Sequence, residues 1–100
     1  MDTTYEERIN CQLAGVIESL RRQKNLSQQA LADVTGLSRT YVSDIERGLR
    51  NVSVGTLSRI GTALGVQASQ LLSMAESAAL LPQQENLAVS RQPDGKQYST

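Results

Sequence analysis

The sequence is poor in several residue types that define common protein classes. Its 100 residues contain no histidine, tryptophan or phenylalanine. They include only two prolines and one cysteine. A lone cysteine, Cys11, excludes an intramolecular disulfide framework and fits a reducing cytoplasm. It falls beside the apolar stripe of a predicted helix, so we expect it to be packed. No apolar run approaches the roughly 18 residues of a membrane span, and no secretory signal pattern is present. We expect a small cytoplasmic domain with no membrane contact.

The same scarcity argues against catalysis. Without histidine, the common metal-ligand clusters and histidine-activated nucleophiles are missing. Serine and acidic residues occur, but in no evident arrangement of nucleophile and base. A glycine-rich phosphate loop is missing too. We expect no enzymatic activity, no cofactor and no bound metal.

Charge is balanced overall but unevenly distributed. Ten basic and ten acidic residues give a net charge of zero. Residues 18–60 hold seven cations and four anions, a net charge of +3, whereas the segments before and after carry −2 and −1. For a nucleic-acid partner, this modest bias predicts that specific contacts matter more than general attraction to phosphate.

Apolar residues recur at helical spacing, and their aliphatic character suits a compact helical bundle. The first helix is predicted to run from Tyr5 or Glu6 to about Lys24, with Asn25 ending it in the left-handed region. The second, third and fourth helices are predicted to begin at N-capping serines, and the fourth to end at a glycine. These residues are Ser27, Ser38, Ser53 and Gly65.

The segment Gln28–Arg47, QQALADVTGLSRTYVSDIER, predicts two short helices joined by a tight turn at Gly36. Its inner residues are predicted to be Leu31, Ala32 and Val34 on the first helix, then Val42 and Ile45 on the second, with Leu49 closing the stripe. The outer face of the second helix offers hydrogen-bonding side chains that can read base edges. This pattern indicates a helix-turn-helix and sequence-specific DNA binding.

The fifth helix carries more apolar residues than one small core needs. It contains Leu71, Leu72, Met74 and Ala75, extends toward Leu80 and Leu81, and is predicted to end at Pro82. An exposed apolar strip suggests a partner surface, most simply a second copy of the chain. We therefore expect residues of about 67–81 to form a homodimer through Leu71, Leu72 and Met74. The polar residues 82–100 are predicted to form a flexible tail.

Residues 26–72 resemble the Cro/phage-repressor type of helix-turn-helix domain, the XRE family, and the resemblance as a whole covers roughly residues 9–72. The matching elements are LRRQKNLSQQALADVTGLS, RTYVSDIERGLRN and SVGTLSRIGTALGV. The resemblance implies an all-α, compact five-helix, lambda-repressor-like DNA-binding domain in residues 1–81, with the helix-turn-helix at its second and third helices. Within the family, RTYVSDIERG followed by RN-x-S is similar to the controller proteins of restriction–modification systems.

The resemblance also implies roles for individual residues. Arg39 is the leading candidate for a bidentate contact to guanine. Thr40 would touch a thymine methyl or a phosphate, and Asp44 would accept from a cytosine amino group or orient Arg39. The implied base-contacting residues are Ser38, Arg39, Thr40, Ser43 and Asp44. The implied backbone-contacting residues are Gln28, Tyr41, Arg47, Arg50, Asn51 and Ser53.

Two further positions are expected to be structural. Arg21 and Glu46 stand where the family forms a buried ion pair that fixes the orientation of the recognition helix. Val52 departs from the family, many members of which have proline there. Arg22, Lys24 and Arg59 are interpreted as a solvated surface.

The expected function is transcriptional regulation through double-stranded DNA. A homodimer would occupy an inverted-repeat operator, with half-sites about one DNA turn apart, and would block or recruit RNA polymerase. The alternative is an antitoxin-like interaction protein that binds a partner protein and autoregulates its operon.

Overall fold

The computed structural model describes residues 4–88, and this part of the chain forms five helices. These are α1 Tyr5–Gln23, α2 Gln28–Thr35, α3 Arg39–Glu46, α4 Val54–Leu64 and α5 Ala68–Ala88. The described residues contain no strand, which confirms the predicted all-α fold. Across this same range no helix combines the length and apolarity needed to cross a membrane.

A hydroxyl side chain caps the start of each of the first four helices. Ser27, Ser38 and Ser53 accept hydrogen bonds from the backbone N–H groups of Ala30, Tyr41 and Thr56, at 3.0–3.1 Å. These three N-caps confirm the boundaries predicted from the sequence. At the start of α1, Thr4 and Glu7 form a reciprocal capping box, which is not among the predicted caps.

The core lies where all five helices meet and is built from aliphatic side chains. Helix α1 packs on α5 and α3, whereas α2 packs on α3 and α4, and α4 packs on α5. The fully buried large side chains come from every helix, and they are Ile17, Leu31, Val42, Ile60, Leu64 and Leu71. Two short helices, α2 and α3, are thereby fixed against three longer ones.

Two apolar residues assigned to the inner stripe lie outside it. Val34 is 64% exposed, because the buried face of α2 is formed by Leu31, Ala32 and Thr35, and a step of about 100° per residue turns Val34 away from it. Leu49 is 62% exposed, because α3 ends at Glu46 and the chain reverses at Gly48, where φ is +75°. Both predictions of burial were wrong.

Cys11 is also exposed, contrary to the expectation of a packed side chain. Its sulfur lies beside Gly48, since a Cβ placed on that glycine would stand 3.5 Å from Sγ. The thiol therefore borders the end of α3 without entering the core.

Helix α5 continues through Pro82 to Ala88, so the prediction that Pro82 ends the helix was wrong. A proline removes one backbone donor and can kink a helix, but the residues after it can still hold helical dihedrals. The division of the chain at residue 82 stays a prediction. Residues 89–100 of the predicted tail lie outside the described residues, and so do the side chains of Leu80 and Leu81.

Candidate nucleic-acid interface

Helices α2 and α3 meet through a short turn that sets the exposed face of α3. Gly36 has a φ of +77° and ends α2 in the left-handed region, as predicted. Val42 and Ile45 anchor the inner face of α3 in the core. The opposite face therefore carries the predicted base-contacting residues. Of these, Ser38, Arg39 and Thr40 are exposed, while Ser43 and Asp44 are half-buried.

A buried ion pair joins α1 to the end of α3. Arg21 donates to Glu46 through Nε at 2.7 Å and through Nη2 at 2.9 Å, with side chains only 9% and 3% exposed. The remaining terminal nitrogen of Arg21 donates to the backbone carbonyl of Leu26 at 2.7 Å. The hydrogen bonds to Glu46 raise the pKa of Arg21 above its ordinary value, against the opposing effect of burial. The ion pair expected from the resemblance is present.

Gln28 connects this ion pair to the exposed face of α3. Its amide nitrogen donates to Glu46 Oε1 at 3.0 Å, which leaves the amide oxygen facing the other way. That oxygen accepts a hydrogen bond from Nη1 of Arg39 at 3.3 Å. A continuous set of contacts therefore runs from the buried Arg21 to the guanidinium of Arg39.

Asp44 pairs with two arginines at the far end of α3. Its Oδ1 lies 3.3 Å from Nη2 of Arg47, and its Oδ2 lies 3.5 Å from Nε of Arg50. The guanidinium of Arg50 also stands over the ring of Tyr41, 5.3 Å from the ring centroid. The prediction that Asp44 orients Arg39 is wrong in this structure, because Arg39 donates to Gln28 instead. The other predicted role, a contact to a cytosine amino group, stays a prediction.

The loop after α3 carries the remaining predicted backbone-contacting residues. The side-chain oxygen of Asn51 accepts a hydrogen bond from the amide of Asn10 on α1, so this loop is tied to the first helix. Ser53 is exposed and caps α4, leaving the first turn of that helix next to the loop. A helix N-terminus placed there can hold a phosphate oxygen.

One contributor to the turn geometry was missed in the sequence. Arg59 of α4 is exposed, as predicted for a solvated surface, and its Nη1 also donates to the backbone carbonyl of Thr35 at 3.1 Å. This contact gives a cationic partner to the carboxyl end of α2, whose last turn contains no basic residue of its own. The only signal for this contact in the sequence is the lack of a basic residue in the last turn of α2. Arg59 and Thr35 are 24 positions apart, so no local pattern joins them.

The predicted dimer residues of α5 differ sharply in accessibility. Leu71 is 0% exposed and belongs to the core of the chain itself, so it is not available for an interface. Leu72 and Met74 are 39% and 40% exposed and remain candidates. Met74 borders shallow grooves on two sides, one of them against α1.

Comparison with known proteins places this geometry in a family. A family profile described as Helix-turn-helix matches residues 17–71. The control protein C.BamHI of Bacillus amyloliquefaciens is 51% identical over 57 residues, which cover 56% of this chain and 70% of that protein.

Solved structures that superpose on this chain belong to the same class of protein as its sequence relatives. The restriction–modification controller protein C.AhdI of Aeromonas hydrophila superposes with a TM-score of 0.60 and 39% identity, covering 62% of this chain and 94% of that one. A controller protein solved as a tetramer with its natural 35 base-pair operator, C.Esp1396I, gives a TM-score of 0.64 and 32% identity, covering 72% and 95% of the two chains. With its two helices, turn and buried anchor so placed, the chain belongs to the helix-turn-helix family of transcription regulators.

Proposed function

We propose that the chain is a sequence-specific DNA-binding transcriptional regulator that occupies an inverted-repeat operator as a homodimer. The observation that carries this proposal is the position of Arg39. It is exposed in the first turn of α3, and its guanidinium is held by Gln28, which is itself bonded to the buried Glu46. A guanidinium fixed at the edge of a recognition helix can bond O6 and N7 of one guanine together.

Polar groups beyond the carboxyl end of α3 suit the DNA backbone. Arg47 and Arg50 are exposed beyond the end of α3, and Asn51 and Ser53 follow in the next loop. Phosphate contacts of this kind fix the position of a protein on the duplex, whereas contacts to base edges select the sequence. Thr40 and Ser43 would add base contacts next to Arg39.

The homodimer is supported by α5 and by the size of α3. Leu72 and Met74 expose apolar surface that a second copy of the chain would cover. Helix α3 has eight residues and would read only a few base pairs. Two copies related by a two-fold axis would read two half-sites about one DNA turn apart.

The proposed biological role is that of a controller protein. The relatives named above include control proteins of restriction–modification systems, and one solved neighbour is an assembly on its own operator. By analogy, the homodimer would act in the cytoplasm at a promoter, where it would block or recruit RNA polymerase.

Selection from a random duplex DNA library tests this function. The purified full chain should enrich an inverted repeat, and Arg39→Ala should fail to enrich it while unfolding at the same temperature. Arg22→Ala is the matched control, because it removes an exposed arginine whose partner is Glu18 on the same helix. Enrichment of no sequence by the folded chain at low salt would overturn the proposal in favour of an antitoxin-like protein partner.

A further inference from the structure

The carboxylate of Asp44 lies between two arginines that are proposed to contact the DNA backbone. It lies between two exposed arginines, with one oxygen near Nη2 of Arg47 and the other near Nε of Arg50. The Asp44 side chain is 19% exposed, so it is partly shielded by its neighbours but still reaches the surface. Tyr41 supports the arrangement by stacking beneath the guanidinium of Arg50.

This arrangement lowers the charge that the arginines offer to DNA. Non-specific affinity for a duplex comes almost entirely from cations that neutralise phosphates and release counterions. A phosphate that binds Arg47 or Arg50 must compete with Asp44 for their positive charge, and the carboxylate stays close to it as a second anion. The weakened ion pairs and this repulsion both oppose binding to an arbitrary sequence.

We propose that Asp44 is a specificity-determining residue that acts as an internal substitute for DNA phosphate. Its carboxylate competes with phosphate for Arg47 and Arg50 and so lowers the affinity for non-operator DNA. At an operator, the exocyclic amino group of a base, of which cytosine is the usual partner of an acidic side chain, donates to the freed carboxylate and offsets the cost. The inference rests on the proposed function, because it concerns the same DNA-reading face.

Asp44→Asn tests the competition, because it keeps the shape of the side chain and removes its charge. On a duplex without an operator, we expect the affinity to rise by about 3- to 30-fold, since two exposed ion pairs are lost and each is worth a few-fold. The dependence of log K on log salt should become steeper by about 1–2, because up to two more phosphates are neutralised at about 0.9 each. Affinity for the operator should rise less than affinity for the non-operator duplex.

Asp33→Asn is the matched control. Asp33 is an exposed carboxylate on α2 that accepts a hydrogen bond from Gln29, and the ion pairs of the described residues do not include it. The substitution changes the net charge by the same amount without releasing an arginine. An equal gain in non-operator affinity for both variants would overturn the inference, because general charge would then explain it.

The arginines themselves supply a second, independent test. In a chain that carries Arg47→Ala and Arg50→Ala, Asp44→Asn should gain no more non-operator affinity than Asp33→Asn does. A full gain in that background would overturn the role of the two arginines. Thermal unfolding of every variant ensures that folded protein is compared.

Failure of this inference can be told apart from failure of the proposed function. If the wild-type chain selects an operator but the two aspartate variants have equal affinities for non-operator DNA, the proposed function is supported and the role of Asp44 is contradicted. If the wild-type chain binds no duplex at low salt and Asp44→Asn does not raise its affinity, both proposals are contradicted.

Discussion

Gln28 and Glu46 lie on different helices and are joined by a hydrogen bond of 3.0 Å between the Gln28 amide nitrogen and a carboxylate oxygen of Glu46. This bond fixes which end of the Gln28 amide faces Arg39. The proposed base-reading guanidinium is therefore positioned by a residue outside its own helix, and the anchor of that residue is buried.

Gln28→Ala should reduce discrimination at the base pair read by Arg39. The expected loss is about 2- to 10-fold, since one hydrogen bond contributes about 0.5–1.5 kcal/mol. Binding of operators altered at single base pairs measures it. Gln29→Ala is the control, because Gln29 is exposed and bonds only to Asp33 among the described contacts. Equal losses in the two variants would refute a positioning role for Gln28.

Glu46→Ala should destabilise the fold by about 3–5 kcal/mol, because it leaves a buried, unpaired charge on Arg21. Urea unfolding measures the loss. Glu18→Ala should cost less than about 1 kcal/mol, since its pair with Arg22 is exposed. Similar losses for the two variants would contradict the importance of burial.

The contribution of the Arg21–Glu46 ion pair to the free energy of unfolding should not vary with pH in the ordinary working range. The pKa of Arg21 is raised in the folded state, so its contribution is fully present below the unfolded pKa and is lost only as pH rises through the folded pKa. Both values lie far above neutrality. The destabilisation by Glu46→Ala should therefore be the same at about pH 6 and about pH 9 when measured by urea unfolding. Recovery of stability at the higher pH would contradict a persistent buried charge.

Leu72→Glu and Met74→Glu should shift a homodimer toward monomer, because each places a charge on the exposed apolar face of α5. Sedimentation velocity measures the shift. Val34→Glu is a matched control, since Val34 is an exposed apolar residue on α2. An unchanged sedimentation coefficient for both α5 variants would remove this face from the interface.

Gly36→Ala should lower the free energy of unfolding by about 1–2 kcal/mol, because an L-residue is strained at a φ of +77°. Gly55→Ala in α4 should instead be neutral or stabilising by up to about 1 kcal/mol, since no atom lies within 4 Å of the added Cβ and alanine favours a helix. Thermal unfolding of the two variants checks the difference. A loss of stability in Gly55→Ala as large as that in Gly36→Ala would argue against a required positive φ at Gly36.

The sequence was most informative where structure depends on neighbours along the chain. The N-caps at Ser27, Ser38 and Ser53 and the left-handed turn at Gly36 follow from local chemistry, and all four are found where expected. The pairing of Arg21 with Glu46 came from the family resemblance, because no local rule joins residues 25 positions apart.

Exposure and partner choice were harder to predict. Val34 and Leu49 are apolar, but apolar identity alone does not say which side of a short helix, or of a turn, meets the core. Asp44 had several arginines within a few residues, and only the geometry of α3 selects Arg47 and Arg50 over Arg39. The DNA-contacting roles of these side chains stay predictions until binding is measured.

Guanidinium groups from other helices hold the chain just before α2 and at its last residue, since Arg21 of α1 donates to the carbonyl of Leu26 and Arg59 of α4 donates to the carbonyl of Thr35. The pair of helices α2 and α3 therefore depends on the rest of the domain for its geometry. A peptide or graft containing only α2 and α3 would lose the hydrogen bonds from Arg21 and Arg59, and with them the fixed orientation of α3. Retargeting this protein to new DNA is better attempted by changing the exposed side chains of α3 within the intact five-helix scaffold.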